Sequence, residues 1–362
     1  MGKKVLILCE GIDNVLAGSD NVAGIQIQLG FWAKMFMSRG WKVFAVTTGE
    51  ARKVEGVEFL SVRENWEDRH GMSVAHEFRY SFSLIRRVKP DLTIYRGASR
   101  FAFAISLWSH VFGAKFLFFG AHDTDFKRGE EMVPGAGLNR TLYHRAIRGI
   151  DYFVSQNIVQ VQSLKENYGR ESLIVQNIWP SALGYRHQGK GTFDVVMVAN
   201  YRPWKRAEWF VRLAEKMPER KFAMVGGAYL YNMSYYEEVK AMAERVGNVT
   251  VFGFQPFSRV NEIVAESKLL VCTSEYEGFP NTFLQAWSAC VPVVSTVNPN
   301  NVVTDFGLGK LIETEEDLLV ATDTLLKDEQ LYNQCRENIG QYFEEHHSAE
   351  KAIERLLGYL GI

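Results

Sequence analysis

Short apolar runs and longer amphipathic stretches alternate twice along this chain. In the first half, Val5–Cys9, Lys42–Thr47, Leu92–Tyr95, Lys115–Phe119, Tyr152–Val154 and Ser172–Gln176 are brief and largely apolar, the pattern of strands covered on both faces. Between them Ile25–Arg39, Glu77–Arg87, Phe101–Val111, Asn139–Arg148 and Gln160–Tyr168 carry helical spacing. Strand and helix in alternation predict a doubly wound parallel sheet. Pro180 to Gly191, with three glycines in a polar context, breaks the rhythm and reads as a linker. The alternation then restarts. Strands are expected at Phe193–Val198, Lys221–Val225, Val249–Phe252, Leu269–Thr273 and Val291–Ser295, and helices at Arg206–Lys216, Tyr235–Val246, Arg259–Glu266 and Thr282–Cys290. Glu315–Leu326, Glu329–Phe343 and Ala349–Tyr359 close the chain as helices. The expected organisation is α/β, with two Rossmann-like domains over residues 1–180 and 192–345, a linker at 181–191 and a final segment at 346–362. A chain of 362 residues is long enough for two cores.

The 21 mostly apolar residues from Phe101 to Ala121 approach the length of a membrane span, but Ser106, Ser109, His110, Gly113 and Lys115 interrupt them. A helix to Val111 followed by the strand Lys115–Phe119 explains the segment better. The beginning, Met1 to Leu8, reads as a first strand and not as a signal peptide. Cys9, Cys272, Cys290 and Cys335 stand far apart, without a CxxC pair, so a disulfide framework or zinc site is not expected and a reducing, cytoplasmic setting fits. The net charge of −1 conceals an asymmetry: residues 1–180 hold 23 Lys and Arg against 18 Asp and Glu, a net +5, and the rest 18 against 24, a net −6. Basic clusters at Arg86, Arg87 and Lys89, and at Arg140, His144, Arg145 and Arg148, permit peripheral contact with an anionic membrane surface or an anionic acceptor. No nucleic-acid-binding motif is present, and nucleic acid is not an expected partner.

The most informative stretch runs from Ser274 to Ala286, Ser-Glu-Tyr-Glu-Gly-Phe-Pro-Asn-Thr-Phe-Leu-Gln-Ala. It lies between a predicted strand and a predicted helix, the crevice-forming corner of a parallel sheet. Asn281 or Thr282 is expected to cap the helix, whose first N–H groups and dipole favour phosphate. Glu277 stands at the mouth as an acceptor suited to sugar hydroxyls. The segment reads as a holder for a phosphorylated sugar.

This stretch resembles the signature of the glycosyltransferase family 4 enzymes, retaining and metal-independent transferases of the GT-B fold, in which two such domains face each other across a cleft and the C-terminal helix, here within 346–362, returns to the first domain. The family pattern is Glu-Gly-Phe-Pro with a second Glu eight residues after the first. Glu277, Gly278, Phe279 and Pro280 match it, and Gln285 departs from it at the second acid. The resemblance implies that Glu277 holds the donor sugar and that residue 285 grips the ribose. A neutral glutamine offers about 0.5–1.5 kcal/mol per hydrogen bond where a charged group gives about 1.5–3, so weaker nucleotide binding is expected.

Further matches follow in order. Lys205 in Asn200-Tyr201-Arg202-Pro203-Trp204-Lys205 sits where the family places a lysine on the donor diphosphate. Asn200 stands at the usual arginine position, and Arg202, three residues before Lys205, is the candidate for that role. Fixed cations there stabilise charge developing on the leaving phosphate. Gly226-Gly227 resembles the family's glycine pair, and Gly253-Phe254 the base-holding strand end. In the first domain Gly24, at a helix start after Gly18 to Ala23, resembles the glycine loop near the diphosphate, and His122 the strand-end histidine near the donor sugar. Asp123 and Asp125 form an Asp-x-Asp, but that metal motif belongs to a different fold, so no metal or other cofactor is expected.

The whole implies a retaining transferase moving a sugar from a nucleotide-diphosphate sugar, UDP most often in the family, to a carbohydrate or lipid-linked acceptor. A GT-B-fold sugar-nucleotide epimerase and a non-catalytic nucleotide-sugar binder are the alternatives. Incubation with a panel of sugar nucleotides separates the three.

Overall fold

The computed structural model describes residues 2–9, 11–16, 24–47, 53–61, 73–130, 133, 137–179, 192–228, 233–277 and 279–362. The predicted linker at 181–191, the loop Gly18 to Ala23 and Gly278 lie outside them. The chain divides into two units, Met1–Ile178 with Ala349–Ile362, and Trp179–Ser348.

In the first unit the strands are β1 (Lys4–Ile7), β2 (Lys42–Thr47), β3 (Val57–Ser61), β4 (Leu92–Arg96), β5 (Lys115–Phe119), β6 (Tyr152–Ser155) and β7 (Leu173–Ile174). They form one parallel sheet in the order β3-β2-β1-β4-β5-β6-β7. The central strands β1, β4 and β5 are buried along nearly their whole length, as strands between two helical layers must be. Phe116 and Phe118 of β5 share one core with Leu84 and Ile85 of the helix Val74–Val88, with Ile105 of Phe101–Val111 and with Tyr143 of Leu138–Gly149.

The helix ends follow local chemistry. Ser73 accepts from the His76 N–H to start Val74–Val88, and Asn157 accepts from Gln160 to start Ile158–Tyr168. Gly169, in the left-handed region, closes the latter through a bond to the Lys165 carbonyl. The segment weighed as a membrane span is the helix Phe101–Val111 followed by β5, and no helix among the described residues is long and apolar enough to cross a membrane.

The second unit carries β8 (Phe193–Val198), β9 (Phe222–Val225), β10 (Val249–Gly253), β11 (Ser267–Cys272), β12 (Val293–Ser295) and β13 (Gly309–Leu311). They too are all parallel, in the order β10-β9-β8-β11-β12-β13. The order reverses between β8 and β11, and between β1 and β4 in the first unit. Such reversals leave a crevice at the carboxyl ends of the strands.

The sequence pattern misses β3 and β13 for one reason. Both are edge strands: Val57-Glu58-Phe59-Leu60-Ser61 and Gly309-Lys310-Leu311 each pair on one side and keep a charged residue and partial exposure. No unbroken apolar run marks them. The short helices Ile12–Leu16 and Val302–Asp305 also escape the pattern, being only about one turn long.

The last helix, Ala349–Leu360, belongs to the first unit and packs on Gly24–Ser38. Ala352, Ile353, Leu356 and Leu360 are its buried side, Glu354 pairs with Arg39 at 2.9 Å, and Tyr359 meets Tyr152 edge-on at 5.4 Å. Deleting buried methyl groups here costs the first unit directly. Leu356→Ala should destabilise it by about 2–5 kcal/mol. The expected result in urea denaturation is an earlier transition for the first unit with the second unit's transition unmoved.

Candidate active site

The two richest motifs of the sequence meet at the reversal point of the second sheet. β8 and β11 are paired in parallel, Leu269 against Val195 and Leu270 against Val196. The loops that leave their carboxyl ends therefore start side by side. Tyr201 anchors the first loop: its ring is buried against Tyr236, and its hydroxyl donates to the Val225 carbonyl. Pro203–Lys205 then make a single 3-10 turn, and Arg206 takes a left-handed conformation at φ 47°.

A non-glycine residue there is strained unless its neighbours hold it. Thr273, just after β11, supplies the hold. Its Oγ1 donates to the carbonyls of Lys205 at 2.6 Å and Arg206 at 3.0 Å. Its own carbonyl accepts from Arg206 Nε at 2.7 Å, and the Glu275 N–H donates to the Trp204 carbonyl at 2.8 Å.

This strapping brings Lys205 and Glu277 into contact as an ion pair, each side chain about one-fifth exposed. Ser274 Oγ donates to the same Glu277 oxygen at 3.0 Å. Beneath them burial pushes the Cys272 thiol up, and the negative charge of Glu277 adds to the shift. Arg202 lies with its guanidinium carbon 5.0 Å from the centre of the Trp204 ring, and Trp204 stacks on Tyr276 at 5.9 Å. The result is an ammonium, a carboxylate, a guanidinium and an exposed aromatic face on two adjacent strand ends. Asn200, where the resemblance led an arginine to be expected, is exposed.

The ends of β9 and β10 are closed onto β8 in the same way. The Ala199 N–H donates to the Val225 carbonyl, Gly226 N–H to Gly253, and Tyr201 N–H to Gly227. Gly226 has φ 125°, and a Cβ on it would stand 1.8 Å from the Ala199 carbonyl oxygen. Only glycine fits. Gly227 has no such need, since a Cβ there would meet Phe254 at an ordinary 3.4 Å. Phe254 leaves β10 with 54% of its surface exposed, a free aromatic face at the strand end where a base was expected.

The helix after β11 is Asn281–Ser288, and its capping differs from expectation. Pro280 occupies the N-cap position in extended conformation, with no side-chain cap bond, and Asn281 is already the first helical residue. Proline's fixed φ suits this entry and leaves Asn281 and Thr282 inside the first turn. Phe279 turns onto Trp287 and His347 at 6.0 and 5.2 Å. Gln285 is only 7% exposed, and its amide donates to Asn261 Oδ1 at 2.9 Å, in the neighbouring helix Phe257–Ala265. Its side-chain oxygen has no partner among the described residues. Asn261 carried no signal in the sequence, and Ser274 and Thr273 looked like mere flanks of the Glu277 motif.

In the first unit His122 is exposed, and its position is built from both sides. Asp125 Oδ2 accepts from the Ala121 and His122 N–H groups at 2.7 and 3.2 Å. Asn157 Nδ2 donates to Asp123 at 2.6 Å, and Gln156 Nε2 to the Gly120 carbonyl at 2.8 Å. Asp125 is fully buried, and burial pushes its carboxyl up, opposed by those two N–H groups and by the charges of His122 and Arg96. Arg96, at the end of β4, is lowered to about 10 by burial and donates to Asn177 at 3.0 Å. One oxygen of each aspartate of the Asp-x-Asp pair is thus engaged in local hydrogen bonds. Among the described residues no cluster of His, Cys, Asp or Glu is set to hold a metal ion. Gly24 is the exposed first residue of the helix Gly24–Ser38. None of the four cysteines is in a disulfide.

Residues 187–342 match the family described as Glycosyl transferases group 1. Over 173 residues the chain is 25% identical to the glycosyltransferase 1 domain-containing protein 1 of Xenopus tropicalis, covering 46% of this chain and 50% of that protein. Over 244 residues it is 26% identical to an uncharacterized glycosyltransferase of Methanocaldococcus jannaschii, covering 59% and 57%. The chain spans about half the length of the curated relatives it matches.

Among solved structures, sucrose-phosphate synthase from Thermosynechococcus elongatus superposes with a TM-score of 0.76 at 12% identity over 99% of both chains. Anabaena HepE in complex with UDP and glucose gives 0.71 at 14% identity over 98% of this chain and 99% of that one. The fold is the expected GT-B type, with two parallel-sheet α/β domains.

The steric demand at Gly226 gives the site a direct structural test. Gly226→Ala should lose at least about 2 kcal/mol in denaturant unfolding, from strain and from displacement of the β8 end. Gly227→Ala should stay within about 0.5 kcal/mol of the parent.

Proposed function

We propose that this protein is a retaining glycosyltransferase of family 4 type that moves a sugar from a nucleotide-diphosphate donor to a hydroxyl acceptor. The observation that carries this reading is the meeting of Lys205 and Glu277 at the carboxyl ends of β8 and β11, within the segment that matches the transferase family. The diphosphate lies on Lys205 and Arg202 and at the N-terminal end of the helix Asn281–Ser288, where the helix dipole favours an anion. Glu277 takes hydroxyls of the donor sugar. The base lies toward Gly226, Gly227 and Phe254, and the open side-chain oxygen of Gln285 serves the ribose. His122 and Gly24 are proposed to serve the reacting sugar and the acceptor.

In the reaction the bond between the anomeric carbon and the donor phosphate oxygen breaks, and the acceptor oxygen bonds to that carbon on the same face. The acceptor proton passes to the departing phosphate. The products are a glycoside and a nucleoside diphosphate. Negative charge grows on the leaving oxygen, so Lys205 and Arg202 hold the transition state more tightly than the ground state. UDP is the proposed nucleotide, as the solved complex of HepE with UDP and glucose encourages. The proposed acceptor is a carbohydrate or lipid-linked hydroxyl.

Three measurements test this reading. Incubation with UDP-, GDP- and ADP-sugars should yield transfer or slow donor hydrolysis. Lys205→Ala should then lower turnover at saturating donor by about two to three orders of magnitude. A near-normal rate removes Lys205 from the chemistry. With positive charge supplied by side chains and a helix end, activity should persist in excess chelator. Complete loss that Mn²⁺ or Mg²⁺ restores would replace this scheme with a metal-assisted one.

A further inference from the structure

We propose that the Lys205–Glu277 ion pair is a specificity device that favours the intact sugar-bearing donor over the bare nucleoside diphosphate. The inference rests on the donor-site reading above and adds a role to two of its residues. The loop backbones that carry them are fixed to one another by Thr273, Arg206 and the bond from Glu275 to Trp204. The pair therefore opens by side-chain rotation and not by loop movement. One Glu277 oxygen is held by both Lys205 and Ser274, while the other accepts from none of the described residues.

A diphosphate that arrives at Lys205 competes with Glu277 for the ammonium. If it wins, a carboxylate in a site only about one-fifth exposed is left beside another anion, with Ser274 as its remaining donor. Partial burial makes that repulsion stronger than in water. A donor that still carries its sugar brings hydroxyl groups for Glu277 to accept, so the displaced carboxylate regains partners. A bare nucleoside diphosphate brings none, and carries more negative charge than its sugar ester. The same ion pair that delays donor entry thus re-forms after transfer and helps expel the product.

The test is a double-mutant cycle read by calorimetric affinity for UDP, GDP, ADP, CDP and dTDP. The parent, Glu277→Gln, Lys205→Met and the double variant are compared, with Glu277→Ala as a second replacement of the acid. Glu277→Gln and Glu277→Ala should each bind the favoured diphosphate about threefold or more tightly than the parent. In the Lys205→Met background the same acid replacement should change affinity by less than about twofold. Absence of tightening overturns the inference. Equal tightening in both backgrounds also overturns it, because Glu277 then acts by repulsion alone and not through Lys205. If no diphosphate binds any of the proteins, the donor-site reading falls and takes this inference with it. Binding to the parent without the expected coupling leaves that reading intact.

Discussion

The parallel pairing of β8 with β11 is the constraint on which the second domain's chemistry depends. It fixes where two loops begin, and a handful of hydrogen bonds does the rest. Thr273 is the central member, since one hydroxyl and one carbonyl serve Lys205 and Arg206 together. Arg206 tolerates its left-handed backbone because those bonds over-determine it. Trp204 and Tyr276 stack across the same seam, so apolar and polar contacts agree on one loop arrangement. A site assembled in this way is preorganised: its charges are placed by the fold before any ligand arrives.

Much of this was legible in the sequence, and the parts that were not share a cause. Strands buried on both faces, such as Lys42–Thr47 and Lys115–Phe119, announce themselves by the unbroken apolar runs Val43–Val46 and Phe116–Phe119. The edge strands Val57–Ser61 and Gly309–Leu311 do not, because half of each faces away from the core. Lys205 and Glu277 could be read singly as chemical groups. Their contact spans 72 positions and exists only once the strand order is known. The need for glycine at Gly226 is likewise set by the Ala199 carbonyl on a neighbouring strand.

The helix cap and Gln285 mark a finer limit. Asn281 and Thr282 are good capping residues by type, yet Pro280 sets the entry angle one position earlier. Gln285 is polar and one turn further on, which reads as aimed at the crevice. The structure ties its amide to the buried Asn261 and leaves its side-chain oxygen without a partner among the described residues, and polar pairing inside the helical layer has no periodic signature.

The placement of Ala349–Leu360 bears on how the chain comes into being. Its apolar side completes the first domain, but synthesis delivers it after every residue of the second. Trp179 and Ser348, the two ends of the second unit, pair with each other, so that unit closes on itself as a continuous insertion. During translation the second unit has all its residues while the first still lacks its final helix. The side of the helix Gly24–Ser38 that packs on Ala349–Leu360 then stays uncovered until residues 349–360 emerge. Completion of the first unit therefore depends on residues made only after the whole of the second.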